Sequence, residues 1–295
     1  MEYHRSVLLN ETIDALKIDP DGIYVDCTLG GAGHSFEISR RLSERGRLIG
    51  IDQDADAIEE ARQKLSDARC KIDLVQKNFS DLQEILSELR INKIHGLLFD
   101  LGISSHQIDT PERGFSYMHN APLDMRMNQS QKFSAADVLN TYTESELTRI
   151  FFEYGEERWS KRIAKFICEM RREKIFQTTF DLVDIICRAI PKDVRRKDPH
   201  GSEKRIFQAV RIEVNSELKI LEASIESAID FLNSGGRICV ISFHSLEDRI
   251  VKHTLKKFSM EKKIKLIGKF IAPSSEEILE NPRSKSAKLR IAEKI

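Results

Sequence analysis

Short apolar runs alternate with amphipathic helical patterns through the first hundred residues, and that alternation leaves few folds open. GIYVDCTLGG carries a strand (Ile23 to Asp26) into a glycine loop, and SFEISRRLSERG follows as a helix stopped by Gly46. RLIGIDQD and DADAIEEARQKLSD repeat the unit, and KIDLVQKNF supplies a third strand. SDLQEILSELR opens a third helix on a Ser80/Gln83 capping box, and IHGLLFDLG is a fourth, almost wholly apolar strand. Strands this short, spaced by helices, must be covered on both faces, so the expected fold is α/β with a doubly wound, mostly parallel sheet.

After Gly102 the alternation stops. A polar, irregular stretch runs to about Lys132, then helical patterns follow: TESELTRIFFEYG with a Thr143/Glu146 capping box, RWSKRIAKFICEMRRE, and TTFDLVDIICRAIP. A long amphipathic helix from about Glu203 to Leu232 leads back to strand patterning at GGRICVISFHS, and KLIGKFIAP and SAKLRIAEKI read as closing strands. The expected organisation is a discontinuous α/β domain, residues 1–107 and 201–295, interrupted by a helical insertion at 108–200.

Composition narrows the setting. No apolar run reaches the roughly 18 residues a membrane span needs, and the charged N-terminal segment is no signal peptide. Five widely spaced cysteines, none in a CxxC pair, argue against a disulfide framework or zinc site and suit a reducing cytoplasm. Net charge is +0, but Arg158 to Arg205 holds 14 Lys/Arg against 7 Asp/Glu, and PRSKSAKLR (Pro282 to Arg290) has four positive charges and no negative one. Such stretches attract phosphate backbones or simply form solvated helix faces.

The chemistry-bearing residues fall at strand ends, where doubly wound sheets bind ligands. The first loop is Asp26-Cys27-Thr28-Leu29-Gly30-Gly31-Ala32-Gly33-His34; Asp52 ends strand two, Asn78-Phe79 follows strand three, and Asp100 ends strand four. The dinucleotide fingerprint G-x-G-x-x-G fails, because the sixth position counted from Gly31 is Phe36 and the third from Gly30 is Ala32. S-adenosylmethionine has no pyrophosphate; it needs room for its methionine part and an acid for its ribose, which this loop and Asp52 supply. A methyl donor is therefore the expected cofactor, with no metal required.

YHRSVLLNET (3–12), DCTLGGAGHS, GIDQDADA, FDLGISSHQ, RGFSYMHNAPLDMRM, RIFQAVRIEVNSEL, GGRICVISFHSLEDR and NPRSKSAKLR occur in that order across nearly the whole chain. Together they closely resemble the RsmH (MraW) family of bacterial methyltransferases, Rossmann-like class I enzymes acting on the exocyclic N4 of a cytosine in the decoding region of 16S ribosomal RNA. The resemblance implies cofactor contacts from Gly30, Ala32, Gly33 and His34, from Asp52 on the ribose, Phe79 beside the adenine, and Asp100 and Gln107 after strand four. It also implies 16S ribosomal RNA as partner, within the small ribosomal subunit, no membrane association, and leaves a homodimer open. The family usually has glycine at Ala32, a change expected to be tolerated if the φ there is negative.

Methyl transfer to an amine needs placement and an acceptor for its proton. Asp100 is the expected acceptor, since carboxylates accept from cytosine N4, or else only orients the cofactor. Ser104 and Ser105 bind the base edge, relay a proton, or close a turn; His244 positions the base, accepts a proton, or is a satisfied loop histidine. His4 has no derivable role, and Asp248 is read as a helix cap. Phe115, Tyr117 and Arg126 contact the base or form core, and Trp159 packs. Two alternatives stand: a methyltransferase on another nucleic acid, disfavoured because Leu101-Gly102-Ile103 replaces the proline-rich tetrapeptide of DNA N4 enzymes, and a binding protein without chemistry.

Overall fold

The computed structural model describes residues 6–295, so His4 and the start of its motif lie outside the described residues. The chain divides into two compact units, Met1–Ile103 with Leu218–Ile295, and Ser104–Glu217.

The first unit is built on a seven-stranded sheet. Its strands are β1 (Ile23–Asp26), β2 (Arg47–Asp52), β3 (Lys71–Gln76), β4 (Ile94–Asp100), β5 (Leu232–Ser242), β6 (Ile264–Leu266) and β7 (Lys288–Lys294), in the spatial order β3-β2-β1-β4-β5-β7-β6. The first five pair in parallel, and β7 runs antiparallel to both β5 and β6. Helices α1 (Leu9–Leu16), α2 (Gly33–Ser39), α3 (Ala55–Lys64) and α4 (Leu82–Glu88) accompany the first half. The period-two alternation of each strand separates two cores. Tyr24, Leu48 and Leu98 pack with Leu16, Ile38 and Ile58 on one face. Their neighbours Val25, Ile49 and Leu97 pack with Leu82, Ile85, Ile225 and Leu255 on the other. The fully buried Tyr24 keeps its hydroxyl satisfied by accepting from the Asp19 amide at 2.7 Å. With β2 on one side of β1 and β4 on the other, the strand order reverses at β1, and the open loops there belong to β1 and β4.

The second unit is helical: α5 (Ser105–Asp109), α6 (Ala135–Thr141), α7 (Glu144–Glu153), α8 (Ser160–Met170), α9 (Thr179–Ala189), α10 (Lys192–Lys197) and α11 (Gly201–Asn215). The Thr143/Glu146 capping box forms as expected, and Ser134/Asp137 and Thr178/Asp181 form two more. Buried Leu147, Ile150, Phe151, Ile163, Ile167, Leu182 and Ile186 give this unit its own core. Each such side chain contributes on the order of 1.5–3 kcal/mol. The stretch from Arg113 to Lys132, which reads as polar loop, buries Phe115, Leu123, Met125 and Met127. Arg113 holds it by donating to the Arg126 and Met127 carbonyls, both at 3.0 Å.

Three local expectations need correction. The long helix from Glu203 to Leu232 is two helices, α11 and α12 (Glu217–Phe231), because Ser216 adopts a left-handed φ of 53° that ends the first. α11 packs on α6, α7 and α9, which carries it into the helical unit. Ser80 does not cap α4: Phe79–Asp81 first makes a single tight turn, in which Asn78 Oδ1 accepts from the Ser80 amide, while Ser80 Oγ donates to Asp81. Of KLIGKFIAP, only the first residues lie in β6, because Gly268 at φ 68° interrupts the extended run; Ile271 then forms a lone bridge to Leu289. Two last helices, α13 (Ser245–Met260) and α14 (Ser275–Glu280), complete the chain.

Candidate active site

The loop after β1 is shaped by its own backbone. Gly30 takes a left-handed φ of 47° and turns its N–H onto Asp52 Oδ2 at 2.9 Å, tying the end of β1 to the end of β2. Ala32 also lies in the left-handed region, at φ 52°, and is fully buried. The condition of a negative φ is therefore not met: the Cβ sits where glycine is strain-free, at a cost on the order of 1–2 kcal/mol. Ala32 is held there because its amide donates to Leu29 O at 2.7 Å while its carbonyl accepts from Phe36, starting α2. Gly33 is needed for space, since a Cβ there would fall 2.0 Å from Ser6 Oγ.

Carboxylates gather at these strand ends. Asp26, ending β1, is buried and accepts from the Thr28 amide and from Ser35 Oγ (3.1 and 2.7 Å). Burial pushes its carboxyl up to about 7, against those hydrogen bonds. Asp52 is pushed up to about 6, again by burial, although the amides of Asp54 and Gly30 support its charge. Asp100, ending β4, is raised well above the ordinary range by burial and by repulsion from Asp26 and Glu247. Its Oδ1 is buried without a hydrogen-bond partner.

His34 gives an independent geometric reason for a proton on Asp100. The ring is buried; its Nε2 lies 3.1 Å from the Val7 carbonyl, which can only accept, so Nε2 carries the hydrogen. Burial lowers its pKa to about 4, which keeps the ring neutral. The bare Nδ1 then faces Asp100 Oδ2 at 3.6 Å. Two lone pairs confront each other unless the carboxyl is protonated. The Asp100 amide donates to Thr28 Oγ1 at 2.6 Å, joining the first loop to β4.

Across β5, His244 caps α13: its Nδ1 accepts from the Glu247 amide at 3.4 Å, while Glu247 Oε2 accepts from the Phe243 and His244 amides. Nε2 therefore bears the proton. It lies 3.1 Å from Glu247 Oε1, but off the line of a hydrogen bond, and is buried without a partner. Asp248 does not cap the helix; it pairs with Lys288 and Arg290 of β7 at 3.1 and 2.7 Å, which absorbs half of the basic Pro282–Arg290 stretch. Phe79 sits half-buried, edge-on to Phe99 at 5.5 Å, and Asn78 beside it donates to Gln53, next to Asp52.

The remaining expected site residues belong to the helical unit. Ser104 and Gln107 satisfy each other as a reciprocal capping box on α5, whose first residue is Ser105. Phe115 is buried, Arg126 is held by both Asp124 oxygens and the Gln131 carbonyl, and Tyr117 stacks on His200 at 5.7 Å. These contacts give all three a packing role. Trp159 lies under Arg162 at 5.8 Å. The sequence reading missed Asp26 and Glu247 as members of the carboxylate group. Both stand inside motif strings already singled out, and their signal was an acid at a strand end or in a helix first turn.

A cationic cofactor fits this donor set. Three acids, Asp26, Asp52 and Asp100, end neighbouring strands, with Glu247 beside Asp100. Burial, and for Asp100 also the repulsion of Asp26 and Glu247, raises the three strand-end carboxyls, and a positively charged sulfur or ammonium would favour their ionised form. Such acids on a doubly wound sheet closed by an antiparallel seventh strand define a Rossmann-like S-adenosylmethionine-dependent methyltransferase. The chain belongs to the MraW methylase family, whose model matches residues 1–295. It is 54% identical over 312 residues to Ribosomal RNA small subunit methyltransferase H of Clostridioides difficile (strain 630), covering 100% of both chains. It is 51% identical to the protein of the same name in Lachnospira eligens, covering 100% of this chain and 99% of that one. A solved chain from Clostridium thermocellum, provisionally named an rRNA methylase, shares the fold at a TM-score of 0.51 and 14% identity, over 99% of this chain and 100% of that one. Among the described residues no helix is long and apolar enough to cross a membrane, and no cluster suits a metal ion.

Proposed function

We propose that this enzyme methylates the exocyclic N4 of a cytosine in the decoding region of 16S ribosomal RNA, within the small ribosomal subunit. The names of its close relatives support a ribosomal RNA substrate, and the motif resemblance supports the cytosine N4 position. One observation carries the chemistry: Asp100 ends β4 with a buried, unpartnered oxygen beside the loop that holds the cofactor.

Bound S-adenosylmethionine supplies an electrophilic methyl on a positively charged sulfur. Asp52, fixed by the Gly30 and Asp54 amides, keeps lone pairs for the ribose hydroxyls. Asp100 gives up its proton once a cation neutralises its surroundings, and its carboxylate then accepts from the cytosine amine, localising the nitrogen lone pair for attack. His34, neutral and anchored to the Val7 carbonyl through Nε2, accepts from the Asp100 carboxyl only while that proton is in place, so its bare Nδ1 turns the ionised carboxylate toward the amine. His244 holds its proton on Nε2, so it donates to an acceptor on the base edge and positions the base rather than removing its proton. Holding the two reacting atoms in line contributes on the order of 7–11 kcal/mol. The base leaves its stack to reach such a site. Ser104 and Gln107, each satisfied by the other, orient the segment after β4. The cytoplasm, where five free thiols stay reduced, is the setting this reading requires.

Nucleoside mass spectrometry of 16S RNA from a strain lacking the gene tests the assignment. N4-methylated cytidine should disappear and return on complementation; an undiminished signal refutes the substrate. A protein that only binds the cofactor or RNA is separated by single-turnover transfer of labelled methyl, which it would not perform.

A further inference from the structure

The helical unit carries a concentration of unpaired positive charge that methyl transfer does not use. α9 ends at Ala189, Ile190 leaves the helix in extended conformation, and Pro191 opens α10. The bend encloses a cleft of about 500 Å³, lined by Arg188, Lys192 and Arg195 together with Asp184, Cys187 and Ile190. Among the described residues, none of the three cations has an ion-pair partner, in contrast to nearby Arg196, which pairs with Asp193, and Arg205, which pairs with Glu157 and Asp198. Arg195 lies beside the Cys187 thiol, but its Nε is buried with no hydrogen-bond partner. A buried donor left unmade is costly, and an anion in the cleft satisfies it. Three positive charges line the cleft against Asp184, with Glu203 behind it at 3.7 Å from the Cys187 thiol; the remaining surplus favours such an anion, and the guanidinium fork matches phosphate oxygens.

We propose that this cleft is a phosphate site that takes a backbone phosphodiester of the RNA substrate, with Arg195 Nε–H donating to one oxygen and Arg188 and Lys192 flanking it. The proposal rests on the RNA-methylating reading above. An RNA strand fits better than a free ion, because the cleft is open and Arg188 and Lys192 lie exposed along its rim. The surplus of positive charge also continues from Arg158 to Arg205, as a chain of phosphates requires.

The test compares the unaltered protein with Arg188→Glu/Lys192→Glu, a surface change that leaves the core intact, and with Arg195→Ala. Methyl transfer to small-subunit RNA is measured at several salt concentrations. The expected result is a KM for RNA raised about tenfold or more with kcat at saturation nearly unchanged. The slope of log K against log salt should become shallower by about 0.7 for each phosphate that is no longer neutralised. Affinity for S-adenosylmethionine should not move. A KM and salt slope equal to the unaltered protein's overturn the cleft while leaving the methylation reading intact. If the unaltered protein transfers no methyl to that RNA, the reading fails instead. The Arg195 Nε–Hε NMR signal, titrated with a ten-nucleotide single-stranded RNA and separately with inorganic phosphate, then judges the cleft alone. A shift with RNA at lower concentration than with phosphate supports it. Equal shifts mean a free-anion site, and no shift means no site; either result overturns it.

Discussion

At the level of single residues, the proposed chemistry rests on acids that hold protons until a cation arrives. Replacing Asp100 with Ala should lower methyl transfer at least about 100-fold, the range of one positioned proton acceptor, while the circular dichroism spectrum stays unchanged. Near-normal turnover would remove Asp100 from the chemistry. Asp26 carries a stability consequence. Its folded value of about 7 lies above the unfolded value of 3.8, so its contribution is full below about pH 4 and is lost as pH rises through 7. Asp26→Asn should therefore stabilise the protein in urea by about 2–3 kcal/mol more at pH 8 than at pH 5. An equal effect at both pH values would mean that Asp26 is ionised throughout. Ala32→Gly should raise stability by up to about 1 kcal/mol, because relief of the left-handed strain exceeds the entropy glycine adds to the unfolded chain. A loss would show that the buried methyl contributes more than the strain costs. The identity of these positions was legible in the sequence. Their protonation was not, because it depends on burial and on acids brought together from β1, β2, β4 and α13.

Among the elements, the parallel strands and their helices were legible because period-two and period-3.6 patterns are local. Where the local pattern misleads, a backbone conformation intervenes that composition does not announce. Ser216 breaks one apparent helix into α11 and α12, and Gly268 stops β6. Asn215, the last residue of α11, shows what the break accomplishes. Its side chain accepts from the Met127 amide and donates to the Met125 and Arg211 carbonyls, all within 2.9 Å. Nothing in RIEVNSEL reveals that the two methionine partners lie about ninety residues earlier. Asn215→Ala should destabilise the protein by about 2–3 kcal/mol in thermal or urea unfolding, since it leaves buried backbone groups unpaired. A change below about 0.5 kcal/mol would show that the Met125–Met127 segment is held by its own packing.

For the whole molecule, motif order across the chain identified the family, while the helical unit remained the least legible part. Its loop residues read as polar yet supply core, and Phe115, Tyr117 and Arg126 are occupied in packing it. On the reading proposed above, the acids at the strand ends of the α/β unit would hold S-adenosylmethionine by exchanging their protons for its positive charge. Isothermal titration of the protein with S-adenosylmethionine at about pH 6.5, repeated in buffers of different ionisation enthalpy, counts the protons exchanged on binding. Saturable binding that releases protons, and that tightens between about pH 5.5 and 8, is the predicted result. Binding with no proton release, or no binding by the folded protein, would show that these acids do not hold the cofactor in this way.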